Sequence, residues 1–163
     1  MLDIACGGGR HLAWFAARQH AVTGVDRDTN QALMHAPSAE LVCADIENNP
    51  WPFQTDGVLR TFDAVVVINY LWRPLLKTVV ASVAPGGVLL YETFAASNET
   101  LGRPTRPDFL LQPGELLQAC AGLEIVAYEN GYLQDPPRFV QRIAAIRAPA
   151  DHRSQPKIQR LAL

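Results

Sequence analysis

Cysteine is scarce: Cys6, Cys43 and Cys120 are the only three, and they lie far apart. An odd number with no Cys-x-x-Cys pair supports neither a disulfide framework nor a zinc site. His11, His20, His35 and His152 have no partners at metal-ligand spacing, so no metal is expected. No apolar run approaches the ~20 residues of a membrane span. The N-terminus is acidic and glycine-broken, where a signal peptide would be basic and then apolar. Basic charge is not in excess either. The formal net charge of −2 gives no electrostatic reason to expect nucleic acid or an anionic membrane as partner. A reducing, cytoplasmic setting follows from these absences. What is present is ordinary for a globular chain: 163 residues, 48% hydrophobic and 18% charged. That length fits one domain with a proper core, placed at residues 1–148, with a polar tail over 149–163.

The chain alternates strand and helix. Met1 to Ile4 reads as a strand, Cys6-Gly7-Gly8-Gly9 as a tight turn, and Arg10 to Gln19 as a helix with Leu12, Phe15 and Ala16 on one face. Ala21–Val25 and Ala39–Cys43 are short buried strands, separated by a helix that starts near Asp28 and runs through His35. Phe62–Ile68 is the strongest strand, a continuous β-branched run. Leu75–Val83 is a helix stopped by Pro85-Gly86-Gly87, and Val88–Thr93 is the next strand. A polar loop follows from Phe94 to Gln112, then a helix from Pro113-Gly114-Glu115 through Cys120. Leu123–Tyr128 and Phe139–Ile146 form an antiparallel pair, joined by a loop that holds Asn130-Gly131 and Pro136-Pro137. The expected fold is α/β: a Rossmann-like, open, mostly parallel seven-stranded sheet with helices on both faces and an antiparallel C-terminal strand.

Ligands of such sheets sit at the carboxyl ends of the strands, near the point where strand order reverses. Asp3 with Cys6–Gly9, then Asp26, Asp45, Asn69 and Glu92–Thr93 occupy those ends. Burying several unpaired carboxylates is costly, and a ligand rich in hydroxyl or amine donors would offset that cost. Asp26 suits a ribose diol, and Asp45 an exocyclic amine with Ile46 as an apolar face. A pyrophosphate pocket needs Gly-x-Gly-x-x-Gly, but the position three beyond Gly9 is Leu12, and Asp3 would repel a phosphate. An NAD-dependent oxidoreductase is therefore the weaker alternative.

Leu2-Asp3-Ile4-Ala5-Cys6-Gly7-Gly8-Gly9-Arg10 resembles the first motif of class I S-adenosylmethionine-dependent methyltransferases. Asp26 matches that family's ribose-binding acid and Asp45 its adenine-contacting acid. Phe62-Asp63-Ala64-Val65 with Asn69, and Pro85-Gly86-Gly87-Val88-Leu89, match the strands and turn that come next. The similarity spans roughly Met1 to Arg147 and looks most like the small tellurite-resistance-type subgroup. It implies S-adenosylmethionine as cofactor, held by Asp3, Ala5, Cys6, Gly7, Gly9, Asp26, Arg27, Asp45, Ile46 and Asn69. It also implies in-line methyl transfer, with no dedicated general base assigned, and the near-neutral charge without a basic aromatic patch points to a small-molecule acceptor rather than nucleic acid. Tyr70, Trp72 and Arg73 at the pocket mouth, with Arg103 and Arg106 from the long loop, are the candidate substrate residues. The three arginines would suit an anionic substrate. The family usually places a helix before the first strand, and this sequence starts within that strand. Two further expectations follow: a second copy of the chain covering the exposed sheet face, and, as a rival function, a non-catalytic S-adenosylmethionine-binding or partner-binding module without its N-terminal lid.

Overall fold

A computed structural model describes residues 1–150. Its frame is a seven-stranded sheet of β1 (Leu2–Ile4), β2 (Thr23–Asp26), β3 (Glu40–Cys43), β6 (Phe62–Ile68), β7 (Val83–Phe94), β8 (Glu124–Gln134) and β9 (Pro137–Ile146), in the order β3-β2-β1-β6-β7-β9-β8. β1 pairs in parallel with both β2 and β6, so strand order reverses at β1. β9 is antiparallel to β7 and to β8, and it lies one strand in from the edge. Connecting β1 to β2 is α1 (Arg10–Ala16), and β2 to β3 is α2 (Asn30–His35). α3 (Leu76–Ala81) precedes β7, and α4 (Glu115–Ala119) precedes β8. The polar tail expected over 149–163 lies, from residue 151 on, outside the described residues. No helix among the described residues is long and apolar enough to cross a membrane.

Alternation within the strands sends side chains to two cores. On one face Leu2, Ile4, Val65, Val67, Leu89 and Ile143 pack with Val79 of α3 and Leu116 of α4. On the other, Leu12 of α1 and Ala32 of α2 pack with Cys6 and Val22. That second layer is confined to β1–β3. Register places Leu90 and Ala144 on the same face as Asp3. There they floor an open apolar groove of about 280 Å³ with Ile68 and Ala127, bordered by Glu92 and Arg142.

Three local readings differ from expectation. The strand expected to begin at Val88 runs on from Val83 through Pro85-Gly86-Gly87, with a register shift against β6. The chain passes so close there that a Cβ on Gly87 would sit 2.9–3.1 Å from the carbonyl oxygens of Ala84, Asp63 and Phe62. Asn130-Gly131 is not a loop. Both residues pair with β9, and the turn falls at Asp135-Pro136. The pairing partner, absent from local sequence, decides this, and Pro136 has no N–H with which to continue the ladder. Between β3 and β6 a small hairpin, β4 (Gln54–Thr55) with β5 (Val58–Leu59), was not expected. Its signal was present: Asp56 and Gly57 both have positive φ, as a type I′ turn requires.

The loop from Phe94 to Gln112 is compact, with single 3₁₀ turns at Asn98–Thr100 and Pro107–Phe109. Asn98, buried at the centre, donates to the Pro104 carbonyl and accepts from the Phe139 N–H. This pins the loop beside the carboxyl end of β7.

Candidate functional site

The turn after β1 is built by backbone geometry. Ala5, Gly7 and Gly9 all have positive φ, at 55°, 51° and 75°. Gly9 is also constrained by space, since a Cβ there would lie 3.0 Å from the Cα and Cβ of Ala32. The Cys6 N–H donates to Val25 O, and the Gly9 N–H to Cys6 O. The Gly7 N–H donates to Asp26 Oδ2 at 2.8 Å, while the Asp28 N–H donates to Asp26 Oδ1 at 3.2 Å. Asp26 therefore ties the ends of β1 and β2 together and still presents lone pairs to the cleft.

Asp3 sits beneath this turn and is 1% exposed. Its Oδ2 has no hydrogen-bond partner among the described residues, and His11 Nδ1 lies 3.5 Å away. A buried carboxylate oxygen without a partner is expensive, so it marks a place suited to an incoming donor. Asp45 is different. Its Oδ1 accepts from the Glu47 and Asn48 N–H groups, and its Oδ2 from Asn48 Nδ2 at 2.9 Å. The Asn48 side chain and then the Glu47 N–H hold its carboxyl below the usual range. Asp45 is thus the cap of its own turn as well as a wall of the cleft. Burial, followed by the charges of Asp3 and Asp26, pushes the Cys6 thiol up to about 12. Cys6 is an inert turn residue.

Three cavities run along the carboxyl ends of the strands. The first, about 310 Å³, is lined by Asp3, Ala5, Cys6 and Gly7, with Ile68 and Asn69 at one end and Arg10, His11, Gln31 and His35 at the other. The second, about 140 Å³, is lined by Ala5, Asp26, Arg27, Asp45, Ile46, Glu47 and Tyr70. The third, about 270 Å³, lies between Glu47, Asn69, Tyr70, Thr93, Phe94 and the loop residues Pro104 and Phe109. Ala5 is shared by the first two, Asn69 by the first and third, and Tyr70 with Glu47 by the second and third. Asn69 has φ 57°, and its N–H donates to Glu92 O. Tyr91 Oη, buried, donates to Tyr70 O at 2.9 Å. The junction residues are therefore held by the main chain of β7 and the side chain of Tyr91.

All the residues expected to hold the cofactor, except Gly9, line the first two cavities. Gly9 shapes the turn from behind, against α2. The anionic-substrate residues are not brought together. Arg73 is bound by Glu115 through two contacts of 2.7 and 3.0 Å, and it donates to the carbonyls of Asp108 and Leu110. Glu115 also accepts from the Gln112 N–H. Arg73 is therefore a clamp between the loop and α4, its charge already matched. Arg106 is exposed and paired with Asp108, Arg103 is exposed, and neither they nor Trp72 line any of the three cavities. Glu47, Phe94 and Phe109 were not foreseen. Glu47 follows Asp45 by two residues, which is a usable signal. The two phenylalanines reach the site only through the folding of the long loop.

Burial alone would raise the Glu115 carboxyl, but Arg73 and the Gln112 N–H more than offset it, and the net direction is down from 4.5. A depressed carboxyl contributes stability above its unfolded value, lost as pH falls through the folded one. Arg73→Met is expected to lower stability at pH 7 by about 1–2 kcal/mol. It should also flatten the acid limb of the stability curve below roughly pH 4.5. Urea melts at pH 7 and pH 4 check both effects.

An open sheet that reverses at β1, with a glycine turn there, Asp26 ending β2 and Asp45 two residues past β3, defines a nucleoside-binding α/β protein. The chain matches the methyltransferase domain family over residues 1–87, more than half its length. It belongs to that family, in the class I S-adenosylmethionine-dependent (SAM-dependent) type. This membership displaces the NAD-dependent oxidoreductase alternative. The fold is shared with a SAM-dependent methyltransferase from Methanosarcina mazei, at 17% identity and TM-score 0.66, over 91% of this chain and 92% of that one. It is shared with a TehB-like SAM-dependent methyltransferase from Corynebacterium glutamicum, at 20% identity and TM-score 0.63, over 90% and 78%. It is also shared with a 16S rRNA (adenine(1408)-N(1))-methyltransferase from Catenulisporales acidiphilia, at 17% identity and TM-score 0.61, over 94% and 86%. No curated protein matches the sequence.

Proposed function

We propose that the protein transfers the methyl group of S-adenosylmethionine to a small-molecule acceptor, with donor and acceptor meeting at Asn69. The observation that carries this reading is the chain of three cavities joined at Ala5, Asn69 and Tyr70. The adenosine part fits the cavity of Asp26, Asp45 and Ile46, where Asp26 offers acceptors to a diol and Ile46 an apolar face. The amino-acid part fits the cavity of Asp3, Gly7 and Arg10. The unpartnered Asp3 Oδ2 favours a cationic group there, and Arg10 at its edge suits a carboxylate. When bound, the donor supplies a methyl carbon already activated by a sulfonium charge. The chain's task is then to hold that carbon in line with the acceptor and to keep water out.

Three features support a small acceptor. The third cavity is bounded by the pinned loop, the chain carries a net charge of −2, and neither arginine of the loop lines a cavity. We read the setting as cytoplasmic from the three free thiols. We also read the open groove at Leu90 and Ala144 as the seat of a second copy. Glu92, Glu129 and Arg142 at its border pair with one another, which leaves the apolar floor as the surface a two-fold contact would cover. Sedimentation as a monomer at all concentrations would remove the dimer.

The functional test pairs calorimetry of S-adenosylhomocysteine binding with an assay of its release from S-adenosylmethionine. Binding is expected, and release should depend on small-molecule acceptors. Release driven by RNA and by no small molecule would overturn the acceptor assignment. Binding without release over a broad panel would favour the non-catalytic module.

A further inference from the structure

The third cavity has a chemistry of its own. Its walls are apolar and aromatic, from Leu71, Phe94, Pro104 and Phe109, and its one charged group is Glu47. No cation lines it. Arg73 is held by Glu115 and loop carbonyls, while Arg106 stacks on the Phe109 ring at 5.1 Å with its charge matched by Asp108 at 2.8 Å. An anion entering here would meet a carboxylate and no counter-charge from the lining. An ammonium group would meet the Glu47 carboxylate, and its apolar body would meet Leu71, Phe94, Pro104 and Phe109.

We propose that this cavity takes a small amine with an apolar or aromatic body, and that Glu47 receives its proton. The proposal rests on the methyl-transfer reading of the two neighbouring cavities.

Glu47 is the carboxylate that the acceptor cavity offers to a proton. It borders both the acceptor cavity and the adenosine cavity, beside Tyr70, and its N–H donates to Asp45 Oδ1. Tyr70 Oη is buried without a hydrogen-bond partner. Burial first, and then the Glu47 charge, keep the phenol neutral. The bound ammonium gives one proton to the Glu47 carboxylate, which frees the nitrogen lone pair. That pair forms the new N–C bond as the C–S bond breaks and its electrons return to sulfur. The products are a methylammonium and a neutral thioether, and Glu47 passes its proton to water.

The test is calorimetric titration of phenethylamine and of phenylacetate, into the protein saturated with S-adenosylhomocysteine and into the free protein. The two probes share a body and differ in the sign of charge. Phenethylamine is expected to bind roughly tenfold or more tighter than phenylacetate. Glu47→Gln should erase that preference. Phe109→Ala touches only the acceptor side, so it should weaken the amine while S-adenosylhomocysteine binding holds. Phenylacetate binding as well as phenethylamine overturns the proposal, and so does an unchanged preference in Glu47→Gln. Failure of S-adenosylhomocysteine to bind counts against the donor reading alone. The amine-to-acid comparison on the free protein still decides this cavity.

Discussion

Replacing Asp26 with alanine is expected to weaken S-adenosylhomocysteine binding by roughly a hundredfold. Two losses add. A ribose diol donating to the carboxylate forms charge-assisted hydrogen bonds, each worth about 1.5–3 kcal/mol. The Gly7 N–H also loses its acceptor at 2.8 Å, and with it the link that sets the glycine turn against the end of β2. Asp26→Asn keeps one acceptor oxygen and should fall between wild type and alanine. Calorimetry gives the affinities, and the melting temperature without ligand separates loss of the turn from loss of the ligand contact. An unchanged dissociation constant in Asp26→Ala would remove Asp26 from the donor site.

The second large effect is on the fold. Gly9→Val is expected to destabilise the protein by about 3 kcal/mol, which for a domain of this size lowers the melting temperature by roughly 6–12 °C. Gly9 has φ 75°, a region that costs a β-branched residue about 1–3 kcal/mol. The new Cβ would lie 3.0 Å from the Ala32 Cα and Cβ, and α2 must yield to admit it, adding about 1–3 kcal/mol. Gly7→Ala is the control. It shares the positive φ, at 51°, but a Cβ there meets nothing within 4 Å. Its stability cost should stay near the backbone term of about 1 kcal/mol. If the two variants melt alike, packing against α2 is not what requires glycine at position 9.

Much of the frame was legible in sequence because it is written locally. An apolar run, three glycines and an amphipathic run specify strand, turn and helix at Leu2–Ala16. The alternation that follows admits only a parallel, doubly wound sheet. Asp26 was placed at the end of the second strand, and the structure puts it there with Oδ2 on the Gly7 N–H of the turn after β1 and Oδ1 on the Asp28 N–H. Boundaries were lost where the partner strand decides. Asn130-Gly131 is turn-like in isolation, yet it pairs with Gln141 and Val140 of β9. Arg73 shows the same limit for charge. In the segment after β6 and beside Pro74 it was one candidate for holding an anion, and no local pattern reveals that Glu115, 42 positions on, already holds it.

Sequence alone specified the Gly7–Gly9 turn and the carboxylates beside it. Positive φ, strand period and the placing of acids at strand ends are properties of a few neighbouring residues. In the third cavity only Asn69 and Tyr70 were read from sequence, and tertiary structure decided the rest. Glu47, Tyr70, Phe94 and Phe109 come from four separate stretches, and they meet because Asn98 ties the long loop to Pro104 and to Phe139 of β9. Such contacts depend on packing and charge pairing across the whole chain, which no local period encodes.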